Sequence, residues 1–155
     1  MTARPVEAVL SVGSNLGDRL AHLRLALDVL DPVAVSSVWE TDPVGGVPQD
    51  DFLNLVCVCD VDVAEAWERA QRAEQRAARE RTVRWGPRTL DVDVVAGHGP
   101  APAGLVVPHP RAHERAFVLA PWLEVDPAAA LPQGPVADLL AALGAGGVRR
   151  TALVP

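Results

Sequence analysis

The spacing of apolar residues changes period several times along the chain, and each change predicts an element. Residues 6 to 12 (VEAVLSV) form a short apolar run suited to a strand, after which Leu16, Leu20, Leu23, Leu27 and Leu30 recur three or four apart, one stripe of a helix. Between them, Gly13-Ser14-Asn15 offer turn and N-cap chemistry. Val33, Val35 and Ser37 alternate with Ala34, Ser36 and Val38 ahead of Trp39, and residues 53 to 61 (LNLVCVCDV) give another β-rich run after a Pro/Gly-rich connection. Residues 63 to 80 (VAEAWERAQRAEQRAARE) are rich in alanine and place Glu65/Arg69 and Glu68/Arg72 four apart, a helix signal, while residues 89 to 95 (TLDVDVV) predict a fourth strand.

The resulting order, βαββαβ, predicts an α+β fold of the split-βαβ, ferredoxin-like kind. Helices are expected on one face of an antiparallel sheet, with the other face free to hold ligands. Residues 96 to 104 read as a loop, and residues 113 to 123 and 136 to 143 as short helices added at the C-terminal end. With 155 residues, 49% of them apolar, no internal repeat and no linker, one domain over residues 1–155 is expected.

Charge narrows the range of partners. A net charge of -6 repels polyanions and so argues against nucleic acid and membrane surfaces, leaving anionic ligands to be met locally. All 14 basic residues are arginine, which rules out a Walker A loop because that loop needs a lysine on the phosphates. No apolar run reaches the ~20 residues of a membrane span, and the N-terminus lacks signal-peptide character, so a cytoplasmic protein is expected. Cys57 and Cys59 alternate within an apolar run, which puts both thiols on one strand face as core residues.

The candidate chemistry gathers around Asp91 and Asp93. At i and i+2 in a strand, both carboxylates leave on one face while Leu90, Val92 and Val94 point to the other. Alone, such a pair suits a solvated strand face as well as it suits two divalent ions about 3.5–4 Å apart. The neighbouring sequence adds Arg69, Arg72, Arg76, Arg79, Arg81, Arg84 and Arg88, half of all the arginines. Arg69 and Arg72 have glutamate partners on their own helix, whereas Arg79, Arg81, Arg84 and Arg88 flank a Trp85-Gly86-Pro87 segment that leads into the aspartate strand. Guanidinium forks pair with phosphate oxygens, so cations and metal ligands converge here as phosphoryl transfer requires. Pro108-His109-Pro110, Arg111 and Arg115 form a second basic cluster, in which His109 suits a turn as well as a phosphate contact. Phe52, two residues before Asn54, could stack on a flat heterocycle while the amide reads its edge, although for a lone phenylalanine a core position is the default.

Together these motifs make the chain resemble the hydroxymethyldihydropterin pyrophosphokinases over roughly residues 8 to 127. The resemblance rests on Ser11-Val12-Gly13-Ser14-Asn15-Leu16-Gly17, Glu40-Thr41-Asp42-Pro43-Val44-Gly45, Gln49 with Phe52-Leu53-Asn54, Arg84-Trp85-Gly86-Pro87-Arg88-Thr89-Leu90-Asp91-Val92-Asp93, and Pro108-His109-Pro110 with Arg115 and Phe117. It implies transfer of pyrophosphate from ATP to the hydroxymethyl group of 6-hydroxymethyl-7,8-dihydropterin, by a monomer, in folate biosynthesis. It further implies two Mg2+ ions on Asp91 and Asp93; ATP contacts from Gln71, Arg81, Arg88, His109 and Arg115; and transfer assisted by Arg79 and Arg88. The pterin would lie between Phe52 and Phe117, near Thr41, Pro43, Val44, Asn54 and Trp85, with residues 79 to 88 closing as a lid. Ala78 stands where the family has glycine, and Pro110 and Gly104 replace an aromatic and an arginine seen in some members, so those contacts do not carry over. A nucleotidyltransferase also joins Gly-Ser to Asp-x-Asp, but with the two close in sequence, unlike Ser14 and Asp91. A non-catalytic ligand sensor would explain the strands but not an arginine-tryptophan segment abutting two aspartates.

Overall fold

The computed structural model describes residues 7–42, 50–78, 89–144 and 146–155 in full and the backbone of Arg79. Strand β1 (Ala8–Ser14) is central, paired antiparallel on one side with β4 (Phe52–Cys59) and on the other with β5 (Asp91–Gly97). Beyond β4 come two short strands, β2 (Ala34–Val35) and β3 (Trp39–Thr41), and β8 (Val148–Arg150) pairs with the far side of β3. The sheet therefore runs β5-β1-β4-β3-β8, with β2 also on β4.

Period-two alternation divides this sheet between two cores. Leu10 and Val12 of β1, Leu55, Cys57 and Cys59 of β4, and Val92 and Val94 of β5 face helices α1 (Arg19–Leu30) and α2 (Val63–Arg79). From α2 this core receives Ala66, Ala70, Ala73 and Ala77, spaced four, three and four apart, whose small side chains let the helix lie close to the sheet. Both cysteines are buried free thiols within it. Arg69 Nε is 3.1 Å from Glu65 Oε1, and its guanidinium donates to the Leu30 carbonyl at 2.9 Å, tying α2 to the end of α1.

Three sequence expectations change. The strand expected over residues 6 to 12 continues through Ser14, and α1 starts only at Arg19. Gly17 adopts a φ of +66°, and Asp18, not the Gly13-Ser14-Asn15 run, caps the helix by accepting from the Ala21 N–H at 3.1 Å. Leu16 thus precedes the helix. Of the alternating run at residues 33–38 only β2 is strand; pairing stops at Ser36, whose hydroxyl accepts from the Val56 N–H at 2.9 Å while its own N–H donates to the Val56 carbonyl, and β3 begins beyond the run at Trp39. At Ser36 a side chain replaces a backbone rung.

The second sheet face is not left free. After a 3-10 turn (Ala112–Glu114), α3 (Ala116–Val125) packs on it, and Val118, Leu119 and Trp122 form a second core with Val56 and Val95. The small hairpin β6 (Ala130–Leu131) and β7 (Gly134–Pro135) and helix α4 (Val136–Leu143) complete that layer. Among the described residues, the end of the face towards Asp91, Gly13 and Phe52 stays open. No helix among the described residues is long and apolar enough to cross a membrane.

Candidate active site

A cleft of about 290 Å³ occupies this open end, lined by Ser11 and Gly13 of β1, Thr41 of β3 and Asp42 just after it, Phe52 and Asn54 of β4, and Asp91 and Asp93 of β5, with Arg111, Glu114, Arg115 and Phe117 from the segment that crosses the sheet. The strand pairing explains the gathering. Gly13 stands opposite both Asn54 and Asp91, and Ser11 opposite Asp93, so side chains distant in sequence share adjacent rows of one face.

The polar floor is ordered. Asn54 and Thr41 are buried, and the Asn54 amide Nδ2 donates to the Thr41 hydroxyl. Gly13 has no substitute here: a Cβ on it would lie 2.5 Å from Asn54 Oδ1. At the anionic end, Asp91 is exposed and Asp93 half-buried, and the Arg115 guanidinium lies 3.6 Å from Asp93 Oδ2. The same guanidinium carbon stands 5.5 Å from the centre of the Phe117 ring, a cation-π contact, so Arg115 spans the charged and aromatic ends of the cleft.

Around the cleft, backbone anchors fix its edges. The Ser14 hydroxyl donates to the Thr89 carbonyl and lies 3.3 Å from His22 Nδ1, pinning the chain just before β5. On the edge of β5, the Val92 N–H donates to Glu74 Oε2 of α2 at 3.0 Å. His109 is half-buried beside the cleft; its N–H donates to the Val95 carbonyl at 2.8 Å, and its Nδ1 accepts from the Arg111 N–H at 3.2 Å. Burial holds its imidazole below the ordinary value and outweighs the upward pull of Asp93.

Of the residues singled out from sequence, Thr41, Phe52, Asn54, Asp91, Asp93, Arg115 and Phe117 line this one cleft. His109 stands beside it without lining it, and Gln71 is exposed on α2. Pro43, Val44, Arg81, Trp85, Arg88 and the side chain of Arg79 lie outside the described residues, as does the proposed lid apart from the Arg79 backbone. Ser11 and Gly13 stand in the motif that carries the resemblance but not among the site residues, because local pattern reads Ser11 as an ordinary strand residue and Gly13 as turn chemistry; the signal for Gly13 is a glycine at a cleft-facing strand position. Glu74 was missed because one glutamate among several on α2 looks like a solvated ion-pair partner.

Comparison with known proteins places this geometry. Residues 9–127 match the family model of 7,8-dihydro-6-hydroxymethylpterin-pyrophosphokinase (HPPK). The 2-amino-4-hydroxy-6-hydroxymethyldihydropteridine pyrophosphokinase of Mycobacterium tuberculosis is 48% identical over 155 residues, covering 87% of this chain and 82% of that protein. The Bacillus subtilis protein of the same name is 42% identical over 128 residues, covering 76% and 77%. A crystal structure of HPPK-DHPS in complex with substrates superposes with a TM-score of 0.66 at 12% identity, over 90% of this chain and 43% of that one. Wild-type Plasmodium falciparum HPPK-DHPS gives 0.63 at 12% identity, also over 90% and 43%. The chain thus spans less than half of those structures, and their likeness concerns the fold.

Proposed function

Since this chain belongs to the 7,8-dihydro-6-hydroxymethylpterin-pyrophosphokinase family, and so transfers pyrophosphate from ATP to the hydroxymethyl group of 6-hydroxymethyl-7,8-dihydropterin in folate biosynthesis, we propose that the cleft between Phe52 and Asp93 is where the two substrates meet. The observation that carries this reading is the adjacency, on one sheet face, of an aromatic and amide end (Phe52, Phe117, Asn54, Thr41) and a carboxylate end (Asp91, Asp93). A pterin is flat, uncharged and edged with both donors and acceptors; a metal-bound triphosphate is neither flat nor neutral and offers only acceptor oxygens. The cleft offers each its complement.

Phe52 and Phe117 stack on the two faces of the pterin, and Asn54, held by Thr41, reads its edge. Pro43, Val44 and Trp85 complete that side in our reading. Asp91 and Asp93 would hold two magnesium ions. Magnesium suits a pair of carboxylates because it retains several waters and takes further ligands from substrate phosphate oxygens. When bound, the ions neutralise phosphate charge and align the polyphosphate. Arg115, Arg81, Arg88, His109 and Gln71 contact ATP, with Arg79 and Arg88 meeting the charge that develops during transfer. Holding the hydroxymethyl oxygen in line with the β-phosphorus is the main task left to the side chains. The antiparallel order β5-β1-β4-β3 supports a ferredoxin-like reading of the sheet, and we take the protein as a single-domain, monomeric, cytoplasmic enzyme.

The test is AMP formation from ATP, magnesium and the pterin alcohol by wild type, Asp91→Asn and Asp93→Asn. Both variants are expected to lose turnover by at least about a hundredfold while melting close to wild type, because each removes a ligand charge and no core volume. Normal magnesium-dependent turnover in both would refute the site.

A further inference from the structure

Residues 128–155 carry none of the side chains invoked so far, yet their last strand reaches the wall of the cleft. The final registered pair of β3 and β4 is Thr41↔Phe52, and both residues line the cleft. One step further out stand Asp42 and Asp51, at the two ends of the connection between these strands. Arg149 of β8 is paired opposite Glu40, on the face turned away from the cleft. Its Nη1 donates to Asp42 Oδ1 at 3.1 Å and its Nη2 to Asp51 Oδ2 at 3.0 Å, so one guanidinium spans both strands. Glu40 Oε1 lies 3.7 Å from Nη2. Gly147, with φ +82°, permits this approach: its carbonyl accepts from the Asp42 N–H at 2.8 Å, and a Cβ there would stand 3.1 Å from Asp42 Oδ2. Arg19 supports the cluster from α1, meeting Glu40 Oε2 at 3.1 Å and the Asp51 carbonyl at 2.9 Å.

We propose that Arg149 is a positioning residue for pterin binding: by bridging Asp42 and Asp51 it adds a side-chain rung beyond Thr41↔Phe52 and so fixes the Phe52 ring and the Thr41 hydroxyl. The inference rests on assigning those two residues to the pterin. Strand ends fray because their last backbone bonds have no neighbour beyond them, and Phe52 is the first residue of β4. An isolated exposed ion pair would hold little, but a guanidinium fork shared among carboxylates that otherwise repel one another is the case in which such pairs matter. The neutral pterin forms no ion pair with Arg149, and the guanidinium acts on its binding by holding the strand ends, whose residues Thr41, Asp42 and Phe52 all line the cleft.

Arg149→Ala is expected to raise the KM for pterin by about three- to tenfold, with kcat and the KM for ATP changed by less than about twofold. Arg149→Lys, which keeps the charge but not the fork, should recover part of the loss. Asp51→Asn should raise the same KM by itself and add little in the Arg149→Ala background. Salt provides a readout that a purely structural role would not move: going from low salt to about 0.5 M sodium chloride should raise the wild-type pterin KM towards that of Arg149→Ala, whose own value stays flat. An unchanged pterin KM in Arg149→Ala and Asp51→Asn overturns the proposal, as does an equal loss in kcat and both KM values. Phe52→Ala run alongside separates the two levels: if it raises pterin KM while the Arg149 and Asp51 variants do not, only the bridge fails. If it too is silent, the pocket assignment fails.

Discussion

Adding one methyl group to the cleft floor, as Gly13→Ala, should damage pterin binding out of proportion to its size. The new Cβ would lie 2.5 Å from Asn54 Oδ1, 3.5 Å from Asn54 Cγ and 3.7 Å from Phe52 Cδ1. Carbon and oxygen do not approach so closely, so the amide must retreat by more than about half an ångström. It has nowhere free to go: Asn54 is 3% exposed and Thr41 2%, and rotation breaks the amide's bond to the Thr41 hydroxyl. Leaving buried polar groups unpaired costs about 1–3 kcal/mol, which in affinity is roughly fivefold to 150-fold. The same displacement should lower the melting temperature by several degrees, at roughly 2–4 °C per kcal/mol for a chain of this size. Steady-state kinetics in pterin and a thermal melt would measure both. Asn54→Ala is the control, because without the amide there is no obstacle, and Gly13→Ala should then add little. Wild-type pterin KM in Gly13→Ala, or strict additivity of the two substitutions, would refute the argument.

Phe52→Ala and Phe117→Ala should each weaken pterin binding by about 1–3 kcal/mol, by analogy with bases stacked on aromatic side chains, and leave ATP affinity nearly unchanged by calorimetry. Because burial depresses the His109 pKa, the folded state binds its proton less readily than the unfolded chain does; this residue's contribution to stability is full above the ordinary value of 6.5 and is lost as pH falls through the lower folded value. Proton NMR of the metal-free protein should show the imidazole titrating below 6.5, and His109→Gln should flatten the acid-side loss of stability over that interval. A titration at or above the ordinary value contradicts the burial argument.

What could be read from sequence depended on the range of the forces involved. Asp91 and Asp93 were legible because alternation in a strand is a local rule, and Val92 and Val94 duly face the α1–α2 core. Helix α2 was legible in the same way, from its alanine content and the Glu65/Arg69 spacing. Ser36 misled because its hydroxyl takes a ladder position, and no local pattern distinguishes that from an ordinary strand residue. The covering of Val56 and Val95 by α3 was invisible for a different reason: a short apolar segment near residue 118 does not state which surface it will cover. Arg149 meets carboxylates 98 and 107 residues away, and charge spacing along a chain carries no signal of such a meeting.

The covering helix has an electrical consequence. On the cleft side, β4 passes from Phe52 and Asn54 to Val56, and β5 from Asp91 and Asp93 to Val95, so within one or two side-chain rows the surface changes from wet to sealed. A dielectric boundary therefore crosses the sheet beside Asp93. Field lines from the carboxylates cannot spread into water on the α3 side and are crowded into the cleft. Two unit charges 4 Å apart interact by about 1 kcal/mol in bulk water and about 4 kcal/mol near a protein surface. By that arithmetic α3, which supplies no carboxylate to the cleft, governs how strongly the carboxylates there act. Polar substitutions at Val118 or Leu119, by letting water reach the back of this boundary, would weaken the grip on charged ligands without moving a single ligand atom.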